Sequence, residues 1–312
     1  MSDAPREEVA ALATRELQQE FSTTNVARCF LWTDPALRPI DTGEAPWQHF
    51  AGLPHTAVPV AHRNVDPANY PVLTTLKPGI EADAALLAHT VQEGCAELAP
   101  ESLQRGRGRR IGGWMVSKAP VDDIALHFGQ TMVQRHPSGH KAWLRLQDPA
   151  VFWLVWGWLQ PAQRATLLGP VDRFYVLDPL GEVLRLTTQE ARVNPTLELS
   201  TEQWAAIDCI APLNVAFRAW GKLRQADQVR PARSAALAAI QRAKQLGFHD
   251  TNDLAFYGLC ALEVHPRFDF HGLIVNRLRA RKAGDYFGGL VADIGLSDWQ
   301  RIATEAPPPA AV

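Results

Sequence analysis

Beyond about residue 195 the apolar residues of this chain recur only at helical spacing, whereas before it short apolar runs of strand length alternate with helical stretches. This single change of period predicts an α+β fold. It places an N-terminal lobe with a mixed β-sheet and flanking helices over residues 1–195, an all-α lobe over 196–304 and a flexible tail over 305–312. No internal repeat accompanies the change. With 312 residues, 46% of them hydrophobic, the chain has enough apolar material for two such units, and wholesale disorder is excluded.

Val9, Leu12, Ala13, Leu17 and Phe21 predict an amphipathic helix, followed by a strand from Ala27 to Trp32. The segment DPALRPIDTGEAPW is dense in Pro, Gly and Asp and reads as loop, and residues 52–70, with Pro54, Pro59 and Pro67, read as irregular chain. Pro71 to Leu76 is a second strand, Glu81 to Leu98 a helix, and Ile111 to Lys118 a third strand, after which Pro120 opens another helix. HPSGH, between Thr131 to Arg135 and Lys141 to Leu146, reads as a hairpin turn. At Asp148-Pro149 the side chain can cap a helix and the proline presets its first turn, so the Trp-rich run 150–159 starts there. A short helix from Gln160-Pro161 stops at Gly169-Pro170, and strands at Val171 to Leu177 and Glu182 to Thr187 flank a turn.

In the second lobe Ser200 and Gln203 fit a capping box, and Pro212 interrupts the helix it opens. Ala235 to Leu246, Asp250 to Val264, and the spacing of Phe270, Leu273, Ile274 and Leu278 mark further helices, while the last ten residues read as frayed.

The formal net charge of −2 removes the electrostatic case for a dedicated nucleic-acid or polybasic membrane protein. The longest apolar run, Ala150 to Leu159, has ten residues, half of the roughly 20 that a membrane-spanning helix needs, and the charged N-terminus has no secretory signal pattern. Cys29, Cys95, Cys209 and Cys260 form no CxxC pair, so neither a zinc site nor a disulfide framework is expected, and a reducing cytoplasm is the simplest compartment.

The chain contains no GxSxG, no SxxK and no P-loop lysine motif, and the G-x-G of GRGRRIGG precedes a strand where a dinucleotide fingerprint would follow one. Asp122 and Asp123 diverge by about 100° on a helix and fit its N-terminal dipole. His136 and His140 face each other across a turn with no third ligand. His265, Asp269 and His271 are the one string of three candidate ligands, and they would carry the alternative of a metal-dependent or hydrolytic enzyme. Surface and capping roles account for them more cheaply, so no catalytic residue, metal ligand or cofactor is assigned. Arg105, Arg107, Arg109 and Arg110 place four cations in six positions. They fit a solvated loop, a partner surface that would take in the nearest ring, Trp114, or an anion or nucleic-acid site. Trp153, Trp156 and Trp158 sit on a helix that is apolar all round, which predicts burial in a core over an exposed binding groove.

Five segments taken in order carry a family likeness: CFLWTDPAL (Cys29 to Leu37), YPVLTTL (Tyr70 to Leu76), GGWMVSKAP (Gly112 to Pro120), KAWLRLQDPAVFWLVW (Lys141 to Trp156) and LLGPVDRFYVLD (Leu167 to Asp178). In order and spacing they resemble the type VI secretion effector chaperone or adaptor family, a domain-of-unknown-function family. The helical tail, with LGFHDTNDLAFY and VHPRFDFHGLI, resembles the C-terminal lobe such proteins carry. The resemblance implies a non-enzymatic cytoplasmic loader that binds one type VI effector, often encoded beside it, and helps mount it on the VgrG spike. No nucleic acid, membrane or cofactor is implied, and the family supplies no catalytic residues to carry over. The chain departs from the family pattern in the arginine-rich 105–110 segment and the Pro- and His-rich 40–67 segment.

Overall fold

The computed structural model describes residues 4–22, 28–37, 45–77, 79–99, 102, 108–179, 181–189, 196–220 and 226–307. The chain divides into two compact units, residues 1–203 and 204–312. In the first unit the elements run α1 (Ala4–Ser22), β1 (Arg28–Thr33), α2 (Ala45–Gly52), β2 (His55–Ala57), β3 (Val72–Leu76), α3 (Glu81–Glu97), β4 (Ile111–Ser117) and α4 (Val121–Thr131). They continue with β5 (Val133–Arg135), β6 (Lys141–Trp143), α5 (Pro149–Trp158), α6 (Pro161–Leu168), β7 (Arg173–Leu177) and β8 (Val183–Leu186), and α7 (Thr201–Ile207) spans the division. The fold class is α+β, as expected.

Six strands form one sheet in the order β2-β3-β1-β4-β7-β8, and β5 and β6 form a separate hairpin. The strand, helix, strand pattern of β3, α3 and β4 makes a split unit. β3 and β4 both pair antiparallel with β1, so they run in the same direction with β1 inserted between them, and each hydrogen-bonded pair in the sheet is antiparallel. Strand alternation sends Cys29, Leu31, Trp114, Val116 and Tyr175 to one face, where α1, α2 and α3 cover them. Phe30, Trp32, Met115 and Phe174 go to the other, where Phe128 of α4 lies 4.7 Å from the Trp32 ring and Phe152 of α5 lies 4.4 Å from Phe174. Helices thus cover both faces of an antiparallel sheet.

β4 is buried at all seven positions, and its two glycines have a local cause. The register against β1 shifts between Trp32 and Thr33, which pair with Gly113 and Ile111, so Gly112 is the extra residue of a bulge. Gly113 adopts φ +140°, and a Cβ there would overlap the Tyr175 carbonyl oxygen of β7. At the end of α6, Gly169 has φ +56°, the helix stop read from the sequence, and the His127 ring fills the space that a side chain would need.

Two elements lie where the sequence reads as loop and irregular chain. α2 is only eight residues long, too short to display a period, and it is held by burial of Trp47 and Phe50. β2 is three residues long and owes its strand conformation to pairing with β3, His55 opposite Thr74. The stripe of α1 also differs: Ala10, Ala13, Leu17 and Phe21 are buried, whereas Leu12 is 53% exposed.

The second unit is helical throughout its described residues. α8 (Ile210–Trp220), α9 (Ala226–Gln245), α10 (Thr251–Glu263), α11 (Gly272–Ala280), α12 (Phe287–Leu290) and α13 (Leu296–Glu305) follow α7. Pro212 lies in the first turn of α8, where its missing N–H costs nothing, and the break precedes it. α9 begins nine residues before the expected Ala235, and Ala232 and Ala236 are among its buried residues. α13 continues to Glu305, into the segment read as frayed; residues 308–312 of the expected tail lie outside the described residues. Tyr257 of α10, Phe287 of α12 and Phe268 of the turn at Phe268–Phe270 form the centre, with Tyr257 4.5 Å from Phe287 and 4.9 Å from Phe268.

Candidate functional site

Arg105 and Arg107 lie outside the described residues; of the other expected partner residues Arg110 and Trp114 are buried and Arg109 is half-buried. Trp114 is fully buried, and its Nε1–H donates to Thr90 Oγ1 of α3 at 3.0 Å. Arg109 Nη1 reaches Asp148 Oδ1, the cap of α5, at 3.3 Å. Arg110 is 8% exposed, with its guanidinium 4.0 Å from the centre of the Trp47 ring and 5.3 Å from that of Phe50. Arg110 and Trp114, both expected among the partner-binding residues, are therefore parts of the core, because β4 is buried on both faces and draws its flanking residues in with it.

Three acidic side chains that the sequence reading passed over surround Arg110. Glu93 and Glu97 stand one turn apart on α3, 6% and 2% exposed, and Asp34 ends β1 at 2%. Glu93 Oε2 accepts from Trp47 Nε1 at 2.8 Å and lies 3.8 Å from His89 Nε2. Glu97 Oε2 accepts from the backbone N–H of Ile111 at 3.1 Å. Burial pushes the Glu97 carboxyl up to about 8, against the opposing pull of the Ile111 and Arg110 backbone N–H groups and the Arg110 charge. Burial lowers the Arg110 value and the neighbouring acids offset part of that. Asp34 accepts from Arg145 Nη2 and Gln147 Nε2, each at 3.2 Å, and its own N–H donates to the Arg110 carbonyl at 2.9 Å. The signal for this cluster was His89, Glu93 and Glu97 at i, i+4 and i+8 in a helix otherwise rich in Ala and Leu.

The other candidates resolve separately. Asp269 is 4% exposed at its side chain and accepts from Arg242 Nε at 2.6 Å, Arg242 Nη2 at 2.8 Å and the Tyr257 hydroxyl at 3.0 Å. His271 caps α11 by accepting from the Leu273 N–H, and its Nε2 meets Glu305 at 3.1 Å; His265 Nδ1 accepts from the Arg267 N–H. These three side chains thus serve three different local structures. Among the described residues no group of three or more His, Cys, Asp or Glu is placed to hold a metal ion. His136 and His140 stack at 4.6 Å with both Nδ1 atoms 2.7 Å from Ser138 Oγ, a hairpin-tip arrangement. On α5, Phe152, Leu154 and Val155 are buried, whereas the three tryptophans are half-buried, with Arg164 over the Trp156 ring at 5.2 Å.

The first unit is thus an antiparallel α+β scaffold in which Asp34 holds Arg145 and Gln147, Asp148 holds Arg109 and caps α5, Glu93 holds Trp47 of α2, and Glu97 holds the start of β4. Residues 65–166 match the family model described as "Domain of unknown function (DUF4123)", a family associated with type VI secretion effector chaperones and adaptors. The matched segment holds YPVLTTL, GGWMVSKAP and KAWLRLQDPAVFWLVW, three of the five segments that carry the resemblance. No curated protein and no solved structure matches the chain.

Proposed function

We propose that this protein is a non-enzymatic adaptor that binds a single type VI effector in the cytoplasm and helps load it onto the VgrG spike. The match of residues 65–166 to a family associated with type VI effector handling carries the reading. The polar clusters support it, since their acids are hydrogen-bonded to arginine, amide, indole or backbone N–H groups inside the fold. Membrane insertion is not needed for the role, and no helix among the described residues is long and apolar enough to cross a membrane.

The test is deletion of the gene in its native host, with secretion of the product of the adjacent gene as the readout. Loss of secretion of that one effector, with other type VI substrates still exported and wild-type export restored by the gene in trans, is the expected result. Unchanged export of the neighbouring effector would overturn the proposal.

A further inference from the structure

We propose that the outer edge of β8 is a strand-addition site for the effector, taking an extended segment that runs antiparallel to β8 and carries a carboxylate followed by two apolar side chains. This rests on the adaptor reading, because the added strand is the effector's. β8 ends the six-stranded sheet and is hydrogen-bonded to β7. The direction of its backbone groups follows from the turn between the two strands. The Asp178 N–H donates to the Glu182 carbonyl at 2.9 Å, which makes these residues a hydrogen-bonded pair, and such pairs alternate along an antiparallel ladder. In the observed register Val176 with Leu184 and Phe174 with Leu186 are then hydrogen-bonded pairs too. Val183 and Arg185, opposite Leu177 and Tyr175, turn their N–H and C=O groups away from β7. Among the described residues no hydrogen bond takes up those outward groups. Val183 and Leu184 are half-buried and Arg185 is exposed, so the edge is open to solvent and can template another strand. The opposite edge, β2, has only three residues and soon meets Pro59, which has no N–H to give a ladder.

The side chains of the edge define the occupant. Val183 and Arg185 share the face of Leu177 and Tyr175, and Leu184 lies on the other. The Arg185 side chain is 55% exposed and reaches Glu20 only at 4.0 Å, whereas Arg173 meets the same oxygen at 3.0 Å. Arg185 therefore has room for a carboxylate from outside. Each hydrogen-bonded pair already in the sheet is antiparallel, and a strand added in that sense places successive residues opposite Arg185, Leu184 and Val183. The matching order is carboxylate, apolar, apolar. A second copy of this chain does not supply it. Pairing of two β8 edges uses only outward groups, so Arg185 would face Gly181, Val183, Arg185 or Thr187 of the copy, none of them acidic. Glu182, the nearest acid in sequence, turns its backbone toward Asp178 and has the wrong parity to oppose Arg185.

Amide hydrogen exchange resolved to single residues, on the full chain alone and in complex with the product of its neighbouring gene, reads the edge directly. The expected result is that the Val183 and Arg185 N–H groups exchange about tenfold or more slowly in the complex, while Leu184 and Leu186, already in the ladder, change less. Arg185→Pro removes an outward N–H and leaves the β7 ladder intact, and Arg185→Glu sets a like charge against the partner's carboxylate. Each should weaken the complex about tenfold or more in a binding titration. A complex in which Val183 and Arg185 exchange as fast as in the free protein, or that Arg185→Pro leaves equally tight, overturns strand addition while the adaptor reading stands. Wild-type binding by Arg185→Glu overturns the assigned carboxylate. Slow exchange of the two N–H groups in the free protein together with a dimeric mass gives the edge to a second copy and overturns the proposal. Absence of any complex with the neighbouring product overturns both readings. Exchange in the native complex decides by itself if Arg185→Pro does not fold.

Discussion

The Arg110 guanidinium lies 4.0 Å over the Trp47 ring, out of water, with Glu93, Glu97 and Asp34 around it, so its charge is spent inside the molecule. The pH dependence of stability follows from Glu97. Its value in the fold, about 8, lies above the ordinary 4.5, so the protonated form is the one that folding favours. That contribution is complete below about pH 4.5 and is lost as the pH rises through about 8. In thermal denaturation Glu97→Gln should therefore lose less of its Tm between pH 6 and pH 9 than the wild type does; an equal loss in both would contradict this. Asp269 makes a second residue-scale case. In Asp269→Ala the Tyr257 hydroxyl and two Arg242 nitrogens lose their acceptor, and the cost should be about 1–3 kcal/mol in urea denaturation. A cost near zero would show that water replaces the carboxylate freely.

At the scale of elements, the junction before α5 joins two functions in one side chain. Asp148 Oδ1 caps the helix through the Ala150 N–H at 3.0 Å and holds Arg109 at 3.3 Å, while Pro149 sets the first turn. Asp148→Ala should cost about 1 kcal/mol from the cap alone, and Asp148→Asn, which keeps an acceptor, should recover most of it in the same denaturation assay. Elements of this kind were legible because caps, prolines and glycines act locally: the starts of α5 and α6, the Gly169 stop and the Ser200 and Gln203 capping box all lie where the sequence places them. α2 and β2 were not legible, since neither is long enough to show a period and each depends on a partner distant in sequence. The candidate site was illegible for a related reason. Nothing local distinguishes Arg110 from the arginines preceding it; its burial follows from the two-sided burial of β4 and from acids 13 and 17 positions earlier. Gly113 should be equally sensitive to tertiary context. Gly113→Ala forces a Cβ against the Tyr175 carbonyl oxygen and should sharply reduce the yield of folded protein, whereas Gly272→Ala, at the start of α11 with open space and no positive φ, should change it far less.

On the scale of the whole molecule, the near-neutral charge conceals an asymmetry. Residues 1–203 carry 18 basic and 23 acidic side chains, and residues 204–312 carry 13 and 10, so an acidic unit is joined to a basic one. The family match lies wholly in the acidic unit, which also holds the buried clusters of Arg110 and Asp34. Loading one effector requires a stable complex, and the measurement that bears on it most directly is size-exclusion chromatography with light scattering on this protein co-expressed with the product of its neighbouring gene and, separately, with VgrG. The adaptor account predicts a complex of defined mass with the neighbouring effector, absent with an unrelated type VI effector. Elution of this chain alone in the presence of both the neighbouring effector and VgrG would contradict it.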